Sequence, residues 1–160
     1  SINLRPFRSL KLSTFEEDLN INFLSMVKSL QKVINNLKKS GNASVVLFST
    51  VAVKVGMPFH TSVSASKGAI EGFARSLAAE YAPLLRVNVI APSLTDTPMA
   101  QRFLNNDLKK EKVGDKHPLK RHGNANDIAN SVVHLLSDNS SWITGQTFGV
   151  DGGMSSINLS

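Results

Sequence analysis

The strongest constraint on this chain is an alternation of short apolar runs with long helical patterns. Val45-Val46-Leu47-Phe48 is unbroken by polar residues, the mark of a strand buried on both faces, and Arg86-Val87-Asn88-Val89-Ile90-Ala91 reads as a second buried strand. Between them, from about Ser62, the residues Ala65, Ala69, Ile70, Phe73, Ala74, Leu77, Ala78 and Tyr81 recur at helical spacing until Pro83 ends the pattern. Its small residues, Gly68 and Gly72 among them, permit close approach to a neighbouring element.

The flanks repeat the alternation. After ten irregular residues, Thr14 and Glu17 have capping-box spacing, and an apolar stripe from Phe15 to Leu37 predicts one long helix ending at Lys38-Lys39, with Ser40-Gly41-Asn42 as its stop. Val51 to Phe59 reads as a loop. Beyond Pro92 lies a polar, basic stretch with one short helix expected from Ala100 to Leu108. A clearer helix starts near Asn124, with Asp127 three residues later, and Gly145 to Val150 forms a last strand closed by Asp151-Gly152-Gly153. Strands separated by helices of this length call for an α/β domain: a doubly wound, mostly parallel sheet with helices on both faces. With 160 residues, one domain over 1–160 is expected.

Composition narrows the chemistry. There is no Cys, which excludes a disulfide framework, a thiolate nucleophile and Cys-ligated metal; no metal is expected. No apolar run is long enough to cross a bilayer, and Ser1 to Pro6 lack a leader's apolar stretch, so a cytoplasmic protein without membrane partners is expected. The net charge of +6 could attract phosphates. Its densest cluster, Asp107 to His122, mixes acids with bases and has no aromatic residue, so it reads as a solvated loop and no nucleic-acid partner is expected.

Ligands of open α/β sheets collect beyond the carboxyl ends of the strands. Two such ends carry hydroxyls here: Ser49-Thr50, and Ser93, Thr95 and Thr97. Lys67 lies near the start of the central helix, where a cation opposes the dipole unless a ligand compensates; an exposed lysine on a helix of small residues is the competing reading. His60, His117, His122 and His134 lack metal-ligand spacing and read as surface or structural residues.

Ser62-Val63-Ser64-Ala65-Ser66-Lys67-Gly68-Ala69-Ile70, the strand and turn Arg86 to Pro92, the segment Asp96-Thr97-Pro98-Met99 and the ending Ile143 to Gly153 stand in order at plausible gaps. Together they resemble the C-terminal part of the short-chain dehydrogenase/reductase family, a Rossmann-like fold, over Phe15 to Gly153. The resemblance implies hydride transfer between NAD or NADP and a small-molecule carbonyl or alcohol. It implies that Lys67 binds the nicotinamide ribose, that Thr50 orients the substrate oxygen and that Asn22 supports the lysine through water. Pro92, Ser93, Thr95 and Thr97 fall beside the cofactor carboxamide, with Ser93 where the family usually has Gly. The resemblance also implies a homodimer or homotetramer built on the long helices.

Two departures stand out. The family's tyrosine, four residues before its lysine, falls on Val63, which cannot exchange a proton. The only tyrosine, Tyr81, lies 14 residues past Lys67, about 21 Å along a helix. Ser62 and Ser64 flank Val63 and are the nearest hydroxyls. The sequence also contains no G-x-x-x-G-x-G or G-x-G-x-x-G, the turns that hold a dinucleotide pyrophosphate. A fragment of a longer protein is therefore expected, binding NAD or NADP only with the N-terminal half present. Three functions remain open: an impaired oxidoreductase, a non-catalytic nucleotide-binding or oligomerising relative, and a nucleic-acid module using the basic segment from Lys109 to Arg121.

Overall fold

The structure, a computed structural model, describes residues 4–158; residues 1–3 of the segment read for a leader lie outside them. Three parallel strands, β1 (Ala43–Phe48), β2 (Leu85–Pro92) and β5 (Thr147–Val150), form a sheet in the order β1-β2-β5. Ala43 pairs with Leu85 and Phe48 with Ile90, while Val89 pairs with Thr147 and Pro92 with Val150.

Alternate residues of these strands meet different layers. Leu47, Leu85, Val87 and Val89 pack with Ile70, Ala74 and Ala78 of α4 (Thr61–Tyr81) and with Met26, Leu30, Ile34 and Leu37 of α2 (Ser25–Ser40). The opposite set faces α6 (Ala125–Leu136): Ser44 Oγ donates to Leu135 O at 2.8 Å, and Arg86 Nη1 donates to Leu135 O at 3.1 Å and Ser140 O at 2.9 Å. Helices thus cover both faces, as the alternation predicts. The segment before β5 is fixed by β2 itself: Asn88 donates to Ile143 O and accepts from Gln146 N, and Val87 N donates to Thr144 Oγ1. This accounts for the residues Ile143-Thr144-Gly145-Gln146.

The first helix departs from expectation. α1 (Leu12–Leu19) begins after Lys11, so Thr14 lies inside it and makes no capping box with Glu17. A π-helical turn over Asn20–Leu24 then separates α1 from α2, where one continuous helix was expected; a single inserted residue is invisible to apolar spacing. α2 ends at Gly41, whose φ of 72° provides the left-handed stop, and Lys38 lies over the Tyr81 ring at 5.3 Å.

Other expectations need correction. The 51–59 loop contains a short helix, α3 (Val51–Val55), and residues Phe7–Ser9 form a 3-10 turn. The helix expected from 100 to 108 is instead a 3-10 turn at Pro98–Phe103 followed by α5 (Asp107–Asp115), capped by the Asn106 side chain. The basic segment is therefore not merely a solvated loop. Phe48 remains 44% exposed, so β1 is not buried on both faces throughout. Among the described residues β1 is an outer strand, which leaves its last residue uncovered. A Cβ at Gly72 would meet nothing within 4 Å, so that glycine serves no close approach. Two further short strands, β3 (Thr95–Asp96) and β4 (Gly123–Asn124), pair in parallel beside the main sheet.

Candidate functional site

Because the sheet is parallel, β1 and β2 release their chains at the same edge. Ser49 N still bonds to Ile90 O at 2.8 Å, and Thr50 follows as the N-cap of α3, its Oγ1 accepting from Ala52 N at 3.4 Å. The chain re-enters this edge as α4. Lys67, seventh residue of that helix, donates from Nζ to Phe48 O at 3.0 Å, so the carbonyl at the end of β1 supplies the compensation its position demands. Burial holds the Lys67 ammonium below its usual pKa.

Asn22 lies within the π-helical turn and donates through Nδ2 to Ser66 Oγ at 3.3 Å, which brings it to the residue preceding Lys67. Such turns recur at functional sites. Val63, 8% exposed, sits one helical turn before Lys67. Its flanking hydroxyls are already committed. Ser62 Oγ donates to Asp18 Oδ2 at 2.6 Å, and Ser64 Oγ donates to Ala52 O at 3.3 Å. Neither is a ready replacement for a phenol.

The second group follows β2. Pro92 pairs with Val150, Thr95 Oγ1 donates to Ser93 O at 3.0 Å, and Thr97, at the N-cap position of the 3-10 turn, donates from Oγ1 to Thr95 O at 3.4 Å and makes no side-chain cap bond. Ser93 Oγ lies 2.8 Å from His117 Nε2, and His117 Nδ1 lies 2.8 Å from Val113 O. His117 is 2% exposed, which leaves the structural rather than the surface half of its reading; its imidazole is the one that packs beneath the turn after β5. That turn needs glycine: Gly153 has a φ of 89°, and a Cβ there would stand 3.1 Å from Pro118. Asp151 holds it by accepting from Gly153 N and Ser155 N.

A cleft of about 340 Å³ opens between these elements, lined by Ser93, Thr95, His117, Arg121, Asp127 and Gly152 among others. None of Asn22, Thr50 and Lys67 lines it. Arg121 forms a two-bond ion pair with Asp127, at 2.6 and 2.9 Å, and holds the Asp127 carboxyl down at about 2; the Asn124 N–H adds to this. Sequence reasoning singled out Ser93 and Thr95 but not the burial of His117, which lies in a segment rich in charged residues. Among the described residues no cluster of His, Asp and Glu could hold a metal, and no helix is long and apolar enough to cross a membrane.

A family profile described as enoyl-(acyl carrier protein) reductase matches residues 2–155. The chain belongs to the short-chain dehydrogenase/reductase family. Within that family it is 32% identical over 151 residues to a glucose 1-dehydrogenase from Gluconobacter oxydans, covering 93% of this chain and 57% of that protein. It is 32% identical over 146 residues to a 3-oxoacyl-[acyl-carrier-protein] reductase from Thermotoga maritima, covering 91% and 58%. The short-chain dehydrogenase/reductase chain thus spans just over half the length of these relatives. Among solved structures, a short-chain type dehydrogenase/reductase from Mycobacterium ulcerans superposes with a TM-score of 0.90 at 26% identity, covering 97% of this chain and 57% of that one. The aldohexose dehydrogenase of Thermoplasma acidophilum gives a TM-score of 0.89 at 28% identity, covering 96% and 64%. An oxidoreductase lineage and the α/β fold follow from these matches.

Proposed function

We propose that this chain carries the substrate-facing half of an NAD(P)-dependent oxidoreductase acting on a small-molecule carbonyl or alcohol, with proton transfer impaired at Val63. The observation that carries this reading is that Lys67 reaches the carboxyl end of β1, two residues before Thr50, while Asn22 bonds to Ser66, the residue preceding Lys67. The residues fit the nicotinamide–ribose end of a dinucleotide. Lys67 is a partly desolvated donor already aimed at an oxygen acceptor, and the extra side chain at Ser93 is engaged with His117. A bound nicotinamide would supply the hydride.

In this reading Lys67 holds ribose hydroxyls, Thr97 and the Thr95 backbone hold the carboxamide, and Asn22 fixes the α4 turn from which Lys67 projects. Thr50 orients the substrate oxygen by donating its hydroxyl hydrogen. No side chain at position 63 moves a proton, because a valine has none to exchange, and Ser62 and Ser64 are bonded elsewhere. Water must then serve, which makes turnover slow. A cytoplasmic setting and a homodimer or homotetramer belong to the same proposal; the exposed apolar residues Val133, Leu136 and Trp142 favour association.

The alternative is a non-catalytic nucleotide-binding or oligomerising relative, favoured by Val63 alone. The substitution Val63→Tyr separates the two. A phenol one helical turn before Lys67 should raise turnover of simple carbonyl substrates with NADH or NADPH by about 10²- to 10⁴-fold, the usual worth of general acid catalysis. Retained cofactor binding without any gain would contradict the oxidoreductase reading.

A further inference from the structure

We propose that Ser93 and His117 form a nucleophilic pair that takes an acyl group from small carboxylic esters, a reaction that needs no nicotinamide although Ser93 and Thr95 also border the carboxamide position of the proposed function. The argument begins with the tautomer. Val113 O can only accept, so His117 Nδ1, 2.8 Å away, carries the proton of the neutral ring. Nε2 is then bare, and the 2.8 Å bond to Ser93 must run from the Ser93 hydroxyl to the imidazole. A hydroxyl donating to a base that is itself oriented by a third group is the constellation that activates a serine nucleophile.

The surroundings hold this pair in place. His117 is buried, its Cβ and Cδ2 lie 3.5 Å from where a Cβ at Gly152 would stand, and its Nδ1 is fixed by the last turns of α5. Ser93 is half-buried and lines the 340 Å³ cleft, a size that suits a small ligand. Met154 Sδ, 3.4 Å from Ser93 Oγ, is only a weak competing acceptor. Arg121 lines the same cleft. Three of its five N–H donors go to Asp127 and His122 O, which leaves others for a developing oxyanion.

In the acylation step, Ser93 Oγ bonds to the acyl carbon while its proton passes to His117 Nε2. The bond to the leaving alcohol breaks and the alcohol departs with that proton. Water then attacks the acyl-serine, giving its proton to Nε2; the acid leaves and Ser93 recovers its hydrogen. A carbonyl orients the ring without the negative charge of a carboxylate, so acyl transfer is slow by the standard of full triads.

The test is intact-mass spectrometry of the whole protein exposed to a fluorophosphonate, with the adduct located by peptide fragmentation. A single adduct at Ser93, formed at least about 100-fold faster than in the urea-unfolded protein, is expected. Ser93→Ala should abolish it, and His117→Gln, checked for its thermal transition, should slow it by a similar factor. Adducts spread over many serines at the unfolded rate would overturn the proposal, as would unchanged labelling in folded His117→Gln. If His117→Gln does not fold, the comparison of folded with unfolded wild type decides alone.

Discussion

Ser62 Oγ donates to Asp18 Oδ2 at 2.6 Å, joining α1 to the first turn of α4 one residue before Val63. Both partners are buried, Asp18 completely. The bond sets where α4 begins relative to α1, and so where Lys67 meets β1. Ser62→Ala removes a donor from a buried carboxyl and should cost about 1.5–3 kcal/mol. Urea unfolding of wild type and variant measures it; a difference under about 0.5 kcal/mol would show that the bond anchors nothing.

A second anchor lies on the other face. The Arg86 guanidinium collects Leu135 O, Ser137 O, Ser140 O and Ile143 O, carbonyls at and beyond the C-terminal end of α6. A cation there also meets the negative end of the helix dipole. Arg86→Leu should therefore cost about 3 kcal/mol, since buried carbonyls lose their donor. Arg86→Lys, with one ammonium in place of a planar fork, should fall between the two in chemical denaturation.

The strands, the central helix and the α6 cap were legible because each depends on local chemistry. Asn124 and Asp127 make the reciprocal capping box their spacing predicts, and Gly41 stops α2. Thr14 and Glu17 have similar spacing but sit inside α1, since the helix begins earlier, at Leu12. The π-helical turn around Asn22 and the burial of His117 were not legible. Both come from tertiary contact: Asn22 reaches Ser66, and His117 is covered by a turn 35 residues further along the chain at Gly152. Thr50 was singled out because parallel strands deliver their ends to one edge, and Lys67 because a cation near a helix start calls for a compensating group, which here is Phe48 O.

Acid should act on the same capping box. Asp127 ionises at about 2 in the folded chain against 3.8 for the free side chain, chiefly because Arg121 bonds to it. A carboxyl with a depressed folded pKa lends its stabilisation above the unfolded value and loses it as pH falls through the folded one. The contribution is thus whole above about pH 4 and declines toward pH 2. Thermal transitions of wild type and Asp127→Asn should converge over that window; a constant gap down to pH 2 would contradict the assignment.

The most direct test of the oxidoreductase reading is equilibrium binding of NADH and NADPH to the protein with its nucleotide-binding half included and to the Lys67→Ala variant of that same protein, followed by nicotinamide fluorescence. Binding by the wild type, weakened about tenfold or more by the loss of one charge-assisted donor, is expected. Equal binding by both proteins would remove Lys67 from the ribose, and absence of binding by the wild type would contradict the nicotinamide reading altogether.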